Sequence, residues 1–218
     1  MTTCDLVLPC RDEAAALPAL LRAVPGSLRA LVVDNGSTDG TAEVARAHGA
    51  TVVLEPRPGY GAAVHAGLEA ATADLVAVMD ADGSLDPAEL LPLVDCIGSG
   101  GADLAVGRRR PTPGTSWPWP ARVGNTVALW RVRQRTGLRL HDVAPVRVAH
   151  REALLGLGVA DRAFGYPVEV LLRAGLAGWR VWEAEVAYRP RAAGTRSKVS
   201  GSLPGTLRAA RDFARVLA

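Results

Sequence analysis

The first half of the chain alternates two hydrophobic rhythms. Residues 6–9, 30–34, 51–54, 74–79 and 103–107 are short, nearly continuous apolar runs. Such runs suit strands buried on both faces. Between them apolar residues recur at helical spacing, as in Leu17, Leu20, Leu21 and Val24. This predicts helices over 14–23, 41–48, 62–71 and 87–97. Strict alternation of strand and helix predicts an α/β fold with a parallel sheet, right-handed crossovers and helices on both faces.

The second half reads differently. Residues 111–120 hold four prolines and the run Trp117-Pro118-Trp119-Pro120, a loop or lid. Residues 121–136 read as a helix, 141–147 as a short strand or turn, and 150–157 as a short helix. A loop over 161–167 leads into a helix over 168–177, with Glu169 in its first turn. Residues 179–187 alternate like a half-exposed strand. The basic, Gly/Ser-rich stretch 189–201 reads as a mobile segment. A last amphipathic helix over 203–217 puts Leu203, Leu207, Ala210, Ala214 and Leu217 on one face and Arg208, Arg211 and Arg215 on another. The expected organisation is one domain over 1–218. Its first part spans 1–110, its second 111–202, and the final helix 203–218.

Composition narrows the class. The chain has 218 residues, 49% hydrophobic and 22% charged, which is an ordinary soluble balance. Of 25 basic residues, all but Lys198 are arginine. Guanidinium forks suit phosphates, although genome composition also favours arginine. Three cysteines without C-x-x-C spacing argue for a reducing compartment. The start lacks a signal-peptide pattern, and no run is long enough to span a bilayer. The expected location is cytoplasmic, with contact to the inner face of the cell membrane as a peripheral protein.

Chemistry concentrates at strand ends. The run 74–79 finishes in Asp80-Ala81-Asp82-Gly83-Ser84-Leu85-Asp86-Pro87. Carboxyl ends of strands are where open α/β sheets bind ligands. Asp80 and Asp82 suit a hard divalent cation and hence a diphosphate. The plain alternative is a strand-to-helix turn, and Asp86-Pro87 fits that turn as a helix cap. Asp34 ends the second strand as Asp80 ends the fourth. Asp39 reads as a helix cap. Glu13 can accept from a ribose or base, or simply favour a helix N-terminus. Glycines at 59 and 61 would let a phosphate or sugar approach the backbone. Neither a Rossmann fingerprint nor a P-loop is present.

The ordered set carries a resemblance. It comprises Pro9-x-x-Asp12-Glu13, Asp34-Asn35-Gly36-Ser37-Thr38-Asp39-Gly40-Thr41 and Gly59-Tyr60-Gly61-Ala62-Ala63. It continues through Asp80-Ala81-Asp82-Gly83, Gly107-Arg108-Arg109, Glu169 and Arg191-x-x-Gly194-x-x-Ser197-Lys198. In register from about residue 4 to about residue 202, the chain resembles family 2 inverting glycosyltransferases of GT-A fold, in the dolichyl-phosphate mannose synthase-like group. The resemblance implies a donor such as UDP-glucose or GDP-mannose. Pro9, Arg11, Glu13, Asp34, Asn35, Gly61, Asp80 and Ala81 would surround the nucleotide-sugar. Asp82 would ligate Mg²⁺ or Mn²⁺, with Ser84 as a weaker second ligand. Arg109, Arg122, Arg196, Ser197 and Lys198 would hold donor or acceptor phosphates. The resemblance makes 1–110 the nucleotide-sugar half and 111–202 the acceptor half. Four departures stand out. Asp12-Glu13 replaces an Asn-Glu pair, Asp34-Asn35 replaces an Asp-Asp pair, and Ser84 stands where many lipid-phosphate enzymes carry a stronger metal-assisting side chain. The segment 142–147 lacks the usual Gly-Phe pair.

The implied reaction moves a hexose to a polyprenyl phosphate, whose anionic oxygen needs no strong base. The basic face of the last helix, with Trp117, Trp119 and residues 189–198, would hold that lipid phosphate at a membrane surface. A hydroxyl acceptor would need a base, for which Asp142 and Glu169 are the candidates. Their plain roles are loop ordering and a helix start. A nucleotidyltransferase would carry a Gly-rich basic loop after the first strand, where this chain has Cys10-Arg11-Asp12-Glu13. A non-catalytic nucleotide-sugar binder would not need both Asp80 and Asp82. Dispersed charge and acids crowding the cleft argue against a nucleic-acid partner.

Overall fold

The computed structural model describes residues 3–115, 119–193 and 203–217, with only the backbone of 203–207. Seven strands form one sheet: β1 (Cys4–Cys10), β2 (Leu28–Asp34), β3 (Thr51–Leu54), β4 (Leu75–Met79), β5 (Leu104–Pro111), β6 (Val146–His150) and β7 (Val181–Tyr188). Their order is β3-β2-β1-β4-β6-β5-β7. Every pairing is parallel except those of β6, which runs antiparallel between β4 and β5. The sequence pattern anticipated the first five strands, but it centred the sixth too early. The strand begins at Val146, after the turn, and extends to His150.

Alternation along the strands fills two cores. Leu6, Leu8, Val32, Leu75, Ala77 and Met79 point to one face, against α1 (Leu17–Ala23), α2 (Thr41–Ala47) and α4 (Leu91–Gly98). Val7, Leu31, Val33, Val76, Val78, Leu104 and Val106 point to the other. That face is covered by α3 (Tyr60–Ala70), α5 (Trp119–Thr136), α6 (Arg151–Gly156), α7 (Tyr166–Leu176) and α8 (Leu203–Leu217). All five residues of β4 are buried, as its continuous apolar pattern requires. A short 3-10 turn over Pro87–Leu90 precedes α4, and Asp86 accepts from the Ala88 amide at 3.0 Å. Asp86 thus serves the helix start, as read from the sequence.

The inward face of α8 differs from the expectation. Ala209, Asp212 and Leu217 are buried and Phe213 and Val216 pack on the core, whereas Ala210 and Ala214 are exposed. The predicted stripe missed Asp212, a buried carboxylate with Arg215 at 3.7 Å and Arg211 at 4.0 Å. No helix among the described residues is long and apolar enough to cross a membrane.

Close packing of α3 on the sheet rests on Gly67. A Cβ there would lie 2.3 Å from Val7 Cγ1 and 3.0 Å from Val33 Cγ2. Gly67→Ala is expected to destabilise the fold by roughly 1–3 kcal/mol through overpacking, despite the better helix propensity of alanine. Equilibrium urea unfolding checks this, and a neutral or stabilising result would contradict it.

Candidate functional site

The carboxyl edge of the parallel strands opens into a cleft of about 370 Å³. Pro9, Cys10, Arg11 and Glu13 reach it from the end of β1, and Asn35 from the end of β2. Asp80, Ala81 and Asp82 come from the end of β4, and Arg109 from β5. The antiparallel β6 delivers Arg147, and the chain after β7 delivers Arg191.

The two central carboxylates have different surroundings. Burial and the neighbouring Asp82 push the Asp80 carboxyl up to about 6, against the pull of Arg109, Arg147 and Arg191. Asp82 is held on both oxygens. Its Oδ1 accepts from the Ser84 amide at 3.0 Å and from the Ser84 hydroxyl at 2.6 Å. Its Oδ2 lies 2.5 Å from Arg191 Nε. Backbone bonds reinforce this: the Ala192 amide donates to the Asp82 carbonyl at 3.0 Å, and Arg189 N to the Ser84 carbonyl at 2.9 Å. Ser84 is therefore an orienting group. It is buried, is absent from the cleft wall and points its hydroxyl at Asp82, the carboxylate expected to hold the metal. Arg191, quoted only as part of a motif, is the residue that meets Asp82.

The donor set suits a hard cation. Asp80 and Asp82 share one cleft. No cluster of three or more His, Cys, Asp or Glu exists among the described residues. An ion held by one or two carboxylates, with diphosphate oxygens and water completing its shell, matches that arrangement.

Several expected ligands also act as clamps. Asn35 donates from Nδ2 to the carbonyls of Glu55 at 2.9 Å and Arg57 at 2.7 Å, and its Oδ1 accepts from the Gly59 amide at 2.8 Å. That pattern needs an amide, because a carboxylate cannot donate. Asp34 Oδ1 accepts from the Ser37 amide at 3.0 Å. Asp39 caps Thr41 and also accepts from the Ala14 amide at 3.0 Å. Gly61 does not front a ligand. A Cβ on it would sit 2.8 Å from the Asp161 carbonyl oxygen and 2.8 Å from Tyr166 Cβ, and its amide donates to the Ala163 carbonyl. Protein takes the space that the sequence reading assigned to a sugar or phosphate. Gly59, at φ 148, is equally closed in: its Cβ would meet the Arg162 carbonyl oxygen at 2.1 Å.

The two base candidates are also engaged. Asp142 chelates Arg109: Oδ2 accepts from Nε at 2.8 Å and from the Arg109 amide at 2.9 Å, while Oδ1 accepts from Nη2 at 2.6 Å. Arg109 also lies 5.7 Å from the Tyr188 ring centroid. Glu169 accepts from the amides of Ala160 and Asp161 and from Arg173 Nε at 2.6 Å. Burial raises its proton affinity, but those hydrogen bonds outweigh burial and hold its carboxyl below the usual range. Neither carboxylate lines the main cleft: Asp142 orders its loop, the plain role expected of it, and Glu169, in the first turn of α7, ties down residues 160–161. Arg122 borders a second hollow with Arg108, Arg109 and Asp142, and Arg109 also lines the main cleft. Arg196, Ser197, Lys198 and Trp117 lie outside the described residues.

Tyr60 and Arg147 are among the cleft residues that the sequence did not single out. Arg147 is 2% exposed. Its Nη2 donates to the carbonyls of Val143 and Ala144. Its Nε and Nη1 are buried without a well-formed hydrogen bond. The Tyr60 hydroxyl is pushed well above its ordinary range by burial and by Asp80. Only a buried polar residue inside the apolar run 143–149 hinted at Arg147. Ala144 adopts a left-handed φ of 65° beside it, a conformation that costs a non-glycine residue about 1–2 kcal/mol.

A mostly parallel sheet with paired carboxylates at its carboxyl edge defines a GT-A nucleotide-sugar transferase fold. Crystallised glucosyl-3-phosphoglycerate synthase of Mycobacterium tuberculosis, with Mn²⁺, UDP-glucose and phosphoglyceric acid, has that fold. It superposes with a TM-score of 0.80 at 24% identity, over 99% of this chain and 78% of its own. This chain belongs to glycosyl transferase family 2, whose family model matches residues 5–155. It is 60% identical to an uncharacterised glycosyltransferase of Mycobacterium tuberculosis, covering 97% of this chain and 96% of that one. It is 34% identical to the polyprenol monophosphomannose synthase of Mycolicibacterium smegmatis, covering 90% and 81%.

Asn35→Asp is expected to lose two donated bonds and set a carboxylate against two carbonyls, costing roughly 1–3 kcal/mol; thermal melting at neutral pH reads it. Asp80→Asn has the opposite sign. A carboxyl whose folded pKa is raised to about 6 from 3.8 destabilises the fold increasingly as pH rises between those values. The variant should therefore melt higher than wild type at pH 7–8 in chelator, by on the order of 1–3 kcal/mol, with the gain vanishing near pH 4. A gain equal at both pH values would show that the carboxylate's charge is not its cause.

Proposed function

We propose that this glycosyltransferase moves a hexose from a nucleotide-diphospho-sugar of the UDP-glucose or GDP-mannose type to a polyprenyl phosphate, with inversion. One observation carries the reading: the cleft wall combines a charged cluster with apolar side chains. Asp80, Asp82, Arg109, Arg147 and Arg191 all line it and act on one another. Pro120, Ala121, Phe164, Pro167 and Phe213 also line it. An anionic head with an isoprenoid tail matches that polarity. The 34% identical polyprenol monophosphomannose synthase supports the same acceptor class.

In this reading the acceptor phosphate oxygen attacks the anomeric carbon from the face opposite the leaving group. The bond from that carbon to the β-phosphate oxygen breaks, and the nucleoside diphosphate leaves with the electron pair. No proton must be removed from the acceptor, which agrees with the engaged oxygens of Asp142 and Glu169. Asp80 and Asp82 orient the donor. Arg191 must leave or share Asp82 when the donor binds. The buried Nε and Nη1 of Arg147, which lack a well-formed hydrogen bond, suit a phosphate oxygen in the cleft. Mg²⁺ or Mn²⁺ held by Asp82 would supply positive charge to the departing diphosphate.

The glucosyl-3-phosphoglycerate synthase fold supports a second reading, a small soluble phosphorylated acceptor. A screen with radiolabelled UDP-glucose and GDP-mannose, offered polyprenyl phosphate and 3-phosphoglycerate in parallel, separates the two. Label is expected in the organic phase, to require a divalent ion, and to fall by about 100-fold or more in Asp82→Asn. Label confined to a water-soluble product would overturn the lipid acceptor.

A further inference from the structure

Helix α5 has two apolar faces on opposite sides. Asn125, Ala128, Leu129 and Val132 are buried, and the helix packs against α7 and α8. Trp119, Val123, Val127 and Trp130 recur every three or four residues on the other side. They are 74%, 52%, 54% and 55% exposed. One helix face thus carries four of the seven large hydrophobic residues exposed among the described residues. The other three, Leu54, Leu176 and Trp182, belong to separate elements. A contiguous apolar stripe of this kind marks an interaction surface, unlike scattered single residues.

The charges beside the stripe indicate its partner. Exposed Arg122 and Arg133 fall on one flank by helical spacing, and exposed Arg131 and Arg135 on the other. Helix α5 holds no carboxylate. Arg131 stacks over the Trp130 ring at 5.9 Å. Arg131 and Arg135 also reach the last carbonyl of α8, each at 3.5 Å, a local role that leaves them exposed. Tryptophans within an arginine-flanked apolar stripe are the composition of a helix lying in a bilayer interface. A second copy of the chain, pairing this face with itself about a two-fold axis, would bring arginines toward arginines.

We infer that the outer face of α5 docks the protein on an anionic phospholipid surface, with Trp119, Val123, Val127 and Trp130 entering the interface. The inference extends the lipid-acceptor reading and places the membrane contact on α5 rather than on the basic face of α8. It has a geometric consequence, because Pro120, Ala121, Gly124 and Asn125 of the same helix line the cleft. A bilayer on the outer side of α5 therefore lies one helix away from the site.

The test is co-sedimentation with phosphatidylglycerol-containing vesicles and with pure phosphatidylcholine vesicles. The full chain is compared with the double variant Val127→Glu, Trp130→Glu. Wild type is expected to bind the anionic vesicles, and the variant to bind about tenfold or more weakly. Its melting temperature, and its transfer to a short-chain polyprenyl phosphate in detergent, should match wild type. Failure of wild type to bind, or equal binding by the variant, overturns the inference. So does a wild-type dimer, seen by sedimentation velocity, that the variant dissociates. Vesicle binding without transfer to any lipid phosphate would overturn the acceptor reading and leave the docking face standing.

Discussion

The structure turns on the cost of placing two carboxylates one residue apart at the end of a strand buried on both faces. Water cannot fully solvate Asp80, and Asp82 repels it, so Asp80 holds its proton up to about pH 6. The fold answers with three arginines from three different elements. Arg109 arrives on β5, Arg147 on β6 and Arg191 after β7. Each is itself fixed: Arg109 by Asp142, Arg147 by the carbonyls of Val143 and Ala144, and Arg191 by Asp82. The second half of the chain is in this sense a cation-delivering frame for acids made by the first half. The antiparallel insertion of β6 is what brings Arg147 to the edge beside β4, because Val146 pairs with Met79 and Arg147 with Val78.

Around that centre, polar side chains act mainly as clamps between loops. Asn35 ties the segment after β3 to the end of β2. Asp12, at a left-handed φ of 52°, accepts from the Thr38 amide and joins the first two loops. Glu169 shapes residues 160–161, and the loop they begin packs onto Gly59 and Gly61. These bonds are local and numerous, so the cleft wall is set before any ligand arrives.

The alternating apolar runs made the first five strands and the helices between them legible, because each run is buried on both faces and interrupted by turn residues. The strand-end rule also placed Asp80, Asp82, Glu13 and Arg109 at one edge. What escaped depended on contacts across the chain. Nothing local to Asn35 or Gly61 separates a ligand contact from a loop contact, since both want the same side-chain chemistry or the same absence of a side chain. Arg147 was hidden for the opposite reason. It sits in an apolar run, where a charge reads as a surface position, and only the antiparallel register turns it inward. On α8 the expected stripe favoured alanines over Asp212, a buried acid that helical periodicity cannot anticipate.

The engaged acids also bear on the chemistry. A general base needs an accessible oxygen and a proton affinity near the working pH. Asp142 has both oxygens on Arg109, and Glu169 has both on backbone amides and Arg173. Freeing either would leave an arginine without its partner and a loop without its anchor. An acceptor that arrives already ionised avoids that conflict. Under the lipid-phosphate reading proposed above, that acceptor would also meet Arg147, whose buried Nε and Nη1 lack well-formed hydrogen bonds and would be satisfied by an anion.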